Sequence, residues 1–156
     1  MRLIDVGCAQ GRDVFELISY GIKAEGIDNN LKYLVEGRKM YPNILLTAGN
    51  VESLPFRESS FDAILCKNVI FNVNPQRALP ELQRILKPGG VGIVSLDEKI
   101  IKIDDNSILH SANLDDMLSL LAHSEILERR YGERVDEKPW QHKQYFIDVV
   151  FRKHTA

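Results

Sequence analysis

"LIDVGCAQGRDVFELI", residues 3–18, begins as an apolar run, breaks at Gly7 and Gly11, and resumes with helix-forming residues. The apolar run reads as a buried strand, and the residues after it place Val14, Phe15, Leu17 and Ile18 on one helical face. Glycine lets the backbone approach a bound group closely, and a helix start offers unpaired N–H groups and the positive end of its dipole. The stretch therefore predicts a strand, a turn that holds an anionic group, and a helix.

Outward from that turn, apolar runs with strand character alternate with amphipathic helical patterns. Residues 23–28, "KAEGID", form a short second strand after a stop at Gly21. Residues 29–42 open with asparagine caps, carry Leu31, Leu34 and Val35 as a stripe, and close before Pro42. "NILLTAG" is a third strand and "FDAILC" a fourth. "PQRALPELQRILKPGG" is helical, with Leu79, Leu82, Ile85 and Leu86 inward; Pro80 either starts its regular part or kinks it, and "KPGG" ends it. "GVGIVSLD" is a fifth strand, followed by an irregular polar stretch to about Ala112 and a helix, "NLDDMLSLLAHS". "EILERRYGE" and "QYFIDVVFRK" alternate as strands do.

Repeated strand and helix units predict an α/β fold: a doubly wound, mainly parallel sheet with helices on both faces. A ligand then belongs at the carboxyl ends of the strands, near the point where strand order reverses, and the "DVGCAQGRD" turn is the first such end. The 156 residues suit one domain, 1–156, with no linker or internal repeat. Apolar residues at 44% and charged residues at 27% are ordinary for a globular chain and argue against disorder. A formal charge of −2 supplies no general pull toward nucleic acid or an anionic membrane. No apolar run approaches a membrane span and no signal peptide is evident, so the expected location is the cytoplasm. Cys8 and Cys66 form neither a metal-ligand spacing nor a disulfide framework; no metal is expected, and a reducing compartment fits.

A nicotinamide dinucleotide site wants G-x-G-x-x-G, but counting from Gly7 the second and third glycines fall at Ala9 and Arg12. An oxidoreductase of that kind conflicts with the spacing. The turn fits D-x-G-x-G-x-G instead, as Asp5, Gly7, Ala9 and Gly11, with alanine at the middle glycine. "GID", "GNVESLPFRESSFDAILC" and "ALPELQRILKPGGVGIVS" follow in order. In these motifs the chain resembles the class I S-adenosylmethionine-dependent methyltransferases, in the methyltransferase type 11 group that includes the ubiquinone and menaquinone enzymes. The likeness covers residues 2 to about 97 well and the rest more loosely.

That resemblance implies a Rossmann-like, seven-stranded sheet whose last strand is antiparallel, with S-adenosyl-L-methionine as cofactor and S-adenosyl-L-homocysteine as product. It implies that Gly7, Cys8, Ala9 and Gly11 line the turn around the methionine portion, with Asp5 supporting the loop. Asp28 would accept hydrogen bonds from the ribose hydroxyls, beside Asn29; Asn50 and Val51 would recognise the adenine, with Leu54 packing on it. Lys67 and Asn68 would border the sulfonium. Each assignment has a plainer alternative. Gly7 and Gly11 shape a turn in any event, Asp28 could cap a helix, Asn50 could be a turn residue, and Lys67 could be solvated. Both cysteines read as small buried space-fillers.

Methyl transfer asks the protein mainly to align an attacking atom and exclude water, because the cofactor carries the activated group; an oxygen or nitrogen acceptor can still need a base. Where many relatives carry histidine after the fourth strand, this chain has Phe71 and Asn72, neither of them a base. Other acceptor-site candidates sit on loops at the same sheet edge: His110 after the fifth strand, with Asp97 and Glu98, and Trp140 and His142 between the last two strands. The alternative for the latter pair is an exposed hairpin loop. His123 and His154 read as solvated.

The sequence opens directly on the first strand, whereas relatives usually carry preceding helices. The expectation is an open cofactor pocket, explained by a large substrate that supplies the lid, by another subunit that supplies it, or by loss of an N-terminal segment, and a homodimer or partner complex follows from the uncovered surface. The leading function is methyl transfer to an unidentified acceptor, a small molecule in preference to bulk nucleic acid, with protein and transfer RNA left open. The competing function is a cofactor-binding or structural subunit that needs a partner chain for activity.

Overall fold

The computed structural model describes residues 1–98, 100–104, 107–110, 114–135 and 143–155. Its strands are β1 (Arg2–Val6), β2 (Lys23–Asp28), β3 (Leu46–Ala48), β4 (Phe61–Cys66), β5 (Leu86–Glu98), β6 (Ile100–Asp104), β7 (Ser107–His110), β8 (Ser124–Val135) and β9 (Lys143–Lys153). The helices are α1 (Arg12–Ser19), α2 (Leu31–Met40), α3 (Pro75–Ile85) and α4 (Leu114–Ser119), with one 3₁₀ turn at Ile70–Asn72.

Seven strands form one sheet in the order β3-β2-β1-β4-β5-β9-β8. β1 to β5 pair in parallel, while β9 runs antiparallel to both β5 and β8. β8 therefore points with β1 to β5, and β9 alone is reversed, as the resemblance implies. Strand order turns back between β1 and β4, so the loops after those strands meet at one edge.

Alternation along the strands divides the interior in two. Ile4, Val6, Ile27, Ile64, Cys66, Val94, Val149 and Phe151 form the larger cluster with Leu79, Leu82 and Ile85 of α3. Val14 of α1 and Leu34 of α2 form the smaller one with Cys8, Ile44 and Leu46. A buried amide ties the larger layer to the end of α4. Gln83 Nε2 donates to the Leu120 carbonyl at 2.7 Å, while its Oε1 accepts from the Ser124 hydroxyl at 3.1 Å and the His123 N–H at 3.3 Å.

Several local expectations change. Of the predicted α1 face only Val14 is fully buried; Phe15 and Ile18 face outward, and Phe15 stacks on Tyr41 with ring centroids 4.7 Å apart, joining α1 to the end of α2. On α2 only Leu34 of the three-residue stripe is buried, because these short helices cover the strands with about one residue per turn. α3 starts at Pro75, capped by Asn74, and keeps Pro80 inside it on an exposed side. It stops at Ile85, before "KPGG": Leu86 is already extended at ψ 134°, and Pro88 disfavours helix in the residue before it. "KPGG" instead makes an irregular start to β5, with Gly89 at φ 76° and a register shift opposite Phe61 and Ala63. The stretch after β5 expected to be irregular contains the antiparallel pair β6 and β7. Among the described residues no helix is long and apolar enough to cross a membrane.

Replacing Gln83 with Leu should cost about 1–3 kcal/mol, since it strands the Leu120 carbonyl and the His123 and Ser124 donors. A urea-unfolding midpoint shift measures it; an unchanged midpoint would show that this amide does not tie α3 to α4.

Candidate functional site at the carboxyl edge of the sheet

The chain leaves β1 at Val6 and turns through five residues before α1 begins at Arg12. Gly7, Ala9 and Gly11 all have positive φ, at 81°, 47° and 80°. The left-handed positions thus fall at the glycine spacing read from the sequence, and Ala9 occupies the middle one at a cost of about 1–2 kcal/mol. Gly7 and Cys8 N–H both donate to the Ile27 carbonyl, at 2.8 and 3.1 Å, and Gly11 N–H donates to the Cys8 carbonyl at 2.8 Å.

Asp28, at the end of β2, completes the turn. Its Oδ2 accepts from Ala9 N–H and its Oδ1 from Asn30 N–H, both at 2.8 Å. Each carboxylate oxygen can accept a further hydrogen bond, so the residue can hold the loop and bind a hydroxyl together. Asn30 then caps α2, accepting from Lys32 and Tyr33 N–H at 3.1 and 3.3 Å.

Glycines set how closely the walls approach. A Cβ on Gly7 would stand 2.1 Å from Val69 Cγ2, so the loop after β4 lies directly on the turn after β1. Gly37 inside α2 lets that helix meet the Gln10 carbonyl, which a Cβ would reach at 2.3 Å. Cys8 fits because Gly26 beneath it has no side chain; a Cβ there would be 2.6 Å from its sulfur.

Two recesses flank the turn. The larger, about 440 Å³, brings together Gly7, Ala9, Asp28, Asn29, Val51, Lys67, Asn68 and Asn72. The smaller, about 310 Å³, is lined by Asp5, Cys8, Lys67 and Asn68 with the turn. Asn50 and Leu54 line neither. Asn50 Oδ1 accepts from Glu52 N–H at 2.9 Å and so closes a local turn, and Leu54 is a core residue whose N–H donates to Glu81 at 2.8 Å. Gly11 caps α1 against Ile44 and Leu46. Phe71 and Asn72 lie in the 3₁₀ turn after β4, while His110 closes β7 in the separate two-stranded sheet. Trp140 and His142 lie outside the described residues.

Sequence reading missed Tyr33, Val69 and Val73 in the larger recess, and Gln10, Arg12 and Asp13 in the smaller. A signal was available for three of them: Tyr33, Arg12 and Asp13 lie in first helical turns that start where β2 and β1 end. Val69 carried no sequence signal, since its role depends on a contact with Gly7, far away in the chain.

The electrostatics concentrate in the smaller recess. Burial pushes the Asp5 carboxyl up to about 7; the Asp13 charge adds to the rise, Lys67 opposes it and Asp28 adds slightly. Lys67 Nζ stands 3.8 Å from Asp13 Oδ2 across the mouth, both side chains being well exposed. Burial also pushes the Cys8 thiol up to about 12 and the Cys66 thiol up further, so both sulfurs stay protonated and serve as packing, not nucleophiles. No group of His, Cys, Asp and Glu among the described residues is placed to hold a metal ion.

Two substitutions test this geometry through urea unfolding. Ala9→Gly should stabilise the fold by about 0.5–1 kcal/mol, because relief of the left-handed strain exceeds the entropy cost of glycine. Gly7→Ala should destabilise it, and adding Val69→Ala should recover the steric part while leaving about 1–2 kcal/mol of backbone strain. Simple additivity of the two would mean that Val69 does not press on Gly7.

The family model for the methyltransferase domain, type 11, matches residues 4–94, which include the turn, Asp28 and the loops after β3 and β4. The demethylmenaquinone methyltransferase of Renibacterium salmoninarum is 35% identical over 95 residues, covering 60% of this chain and 40% of that protein. An uncharacterized methyltransferase of Mycobacterium bovis is 31% identical over 102 residues, covering 64% and 42%. The chain thus spans about two-fifths of the length of these curated relatives. In structure, an S-adenosylmethionine-dependent methyltransferase of Methanosarcina mazei superposes with a TM-score of 0.80 at 20% identity, covering 99% of this chain and 93% of the other, a likeness of fold. With the turn, the strand order and more than half of its length matched, this chain belongs to the methyltransferase-domain family, type 11.

Proposed function

We propose that the chain binds S-adenosyl-L-methionine at this edge and directs its methyl group to a small, largely apolar acceptor. The observation that carries the reading is the Asp28 carboxylate, which clamps the glycine turn with one oxygen and caps the start of the next segment with the other, while keeping acceptor capacity for two ribose hydroxyls. The residues present fit the group in shape as well. Gly7 offers bare backbone, and the recess of about 440 Å³ is lined by Val51 and Gly49, which would stand beside the adenine.

The cofactor supplies an electrophilic methyl on a sulfonium, so the protein's tasks are alignment and exclusion of water. Asp28 and Asn29 hold the sugar edge. Tyr33, exposed by two-fifths, extends the wall beside them and offers a ring to the adenosine. Lys67 and Asn68 stand where the two recesses meet.

Val69, Val73 and Asn72 border the larger recess on the side of the β4 loop. Two apolar side chains and one amide suit an uncharged acceptor. None of the three is a base, so the acceptor's attacking atom should already be electron-rich, such as an activated ring carbon or an ionised oxygen. The similarity to a demethylmenaquinone methyltransferase makes a reduced quinone ring the first acceptor to try.

Calorimetric titration with S-adenosylhomocysteine should give one site per chain. Asp28→Ala should weaken it about tenfold to a hundredfold, the loss expected when hydrogen bonds to a charged group are removed. Transfer of labelled methyl to reduced demethylmenaquinone, lost in the Asp28 variant, would establish the activity. Absence of binding by the folded chain would overturn the reading.

A further inference from the structure

β8 closes the sheet at the end away from the glycine turn. It pairs with β9 along one edge from Ser124 to Val135, and among the described residues no strand pairs with its other edge. An open strand edge presents a row of unpaired N–H and C=O groups, which proteins usually blunt with lysine, proline or a bulge. β8 carries one such device, the register shift between Ile126 and Glu128. From Glu128 onward its register with β9 is regular, and residues 128–134, "ERRYGER", contain neither lysine nor proline.

The charges of that stretch are ordered about its middle. Glu128 and Arg134 stand three residues before and after Tyr131, and Arg129 and Glu133 stand two before and after it. Each glutamate thus has an arginine at the mirrored position. Arg130 has Gly132 as its counterpart, which leaves room for a long side chain, and Arg130 is already drawn along its own strand to Glu128 by bonds of 2.7 and 2.8 Å. Tyr131 itself is 68% exposed, although its partner on β9 is the buried Ile147.

We propose that the free edge of β8 receives a second copy of this chain, the two strands pairing antiparallel about a two-fold axis at Tyr131 so that one sheet runs through both protomers. In such a pair, residues equally far before and after the axis stand directly opposite and share a face. Glu128 then meets the partner's Arg134, Arg129 meets the partner's Glu133, and the two Tyr131 rings meet each other. Symmetry makes each charge pair occur twice. The register is selective as well. An axis at 128, 129, 130, 133 or 134 sets the residue there against its own like charge, and an axis at Gly132 sets Arg130 against the partner's Arg134. Opposite charges facing across strands stabilise the pair and like charges destabilise it, so within this stretch the axis at Tyr131 is favoured. Main-chain hydrogen bonds supply the affinity, and the charge order supplies the register. β5 and β9 separate this edge from β4, so the contact leaves the two recesses open and does not depend on what fills them.

The test is the mass of the unaltered chain in solution, followed by charge reversal and cross-linking. Sedimentation equilibrium should give a dimer at about 100 μM chain, dissociating on dilution by mass action. Arg129→Glu places like charges opposite at both symmetry-related positions and should raise the dissociation constant about tenfold or more. Adding Glu133→Arg restores both pairs and should return the constant close to its original value. Tyr131→Cys should form a disulfide between protomers on mild oxidation, because opposed residues in an antiparallel pair have Cα atoms about 4.5–5.5 Å apart. Arg129→Cys should not, since in this register its two copies stand about 14 Å apart along the strands. Cys8 and Cys66 are buried and do not compete. A chain that stays monomeric at about 100 μM would overturn the inference, as would a dimer indifferent to Arg129→Glu or one that the second reversal fails to rescue. Equal cross-linking of the two cysteine variants would overturn it too, and that comparison decides the register even where circular dichroism shows that Arg129→Glu has not folded.

Discussion

The Asp28 carboxylate holds two turns with one group. Through Oδ2 it fixes Ala9 N–H in the turn after β1, and through Oδ1 it fixes Asn30 N–H at the start of α2. Both turns sit at the carboxyl ends of neighbouring parallel strands, paired from Arg2 opposite Lys23 to Val6 opposite Ile27. The Ile27 carbonyl, one residue before Asp28, takes the Gly7 and Cys8 donors and locks the same turn from below. A loop with three left-handed residues has little conformational freedom to spare, and these contacts select one arrangement of it.

Close packing follows from that arrangement. The turn can lie flat on β2 only because Gly26 leaves room for Cys8, and α2 can reach it only because Gly37 has no side chain opposite the Gln10 carbonyl. Val69, arriving after β4, then presses on Gly7 from the other side. The outcome is a ridge of bare backbone between two recesses that differ in character. The larger combines the Asp28 carboxylate with apolar walls, and the smaller gathers acids and cations.

The sequence was most legible where a residue's local conformation is its function. The spacing of Gly7, Ala9 and Gly11 marked a tight turn of closely approaching backbone, and the structure has positive φ at all three positions. The alternation of strands and helices, the reversed last strand and the methyltransferase family were all readable up to residue 94 and beyond. Residues judged by the company they keep were harder to place. Asn50 closes a local turn and Leu54 belongs to the core, and neither lines the two recesses. Phe15, Ile18, Leu31 and Val35 carried a helical pattern yet remain on the surface, since two short helices have limited contact with the sheet.

By itself, then, the sequence determined the alternation of strands and helices and the tight glycine turn, which depend on local conformational preference and hydrophobic period, while the order of its motifs carried the resemblance to the family and, with it, the carboxylate at the end of β2 and the reversed last strand. Only the tertiary structure decided that Val69 lies on Gly7, that Tyr33 joins the larger recess, and that Asp5, Asp13, Arg12 and Lys67 face one opening. The physical reason is distance along the chain. Lys67 and Val69 follow β4 while the turn follows β1, and no local preference encodes their meeting; it arises because parallel pairing of β1 with β4 brings two strand ends to the same edge. The burial that raises Asp5 has the same origin, for a carboxyl loses its water only when several separate segments close around it.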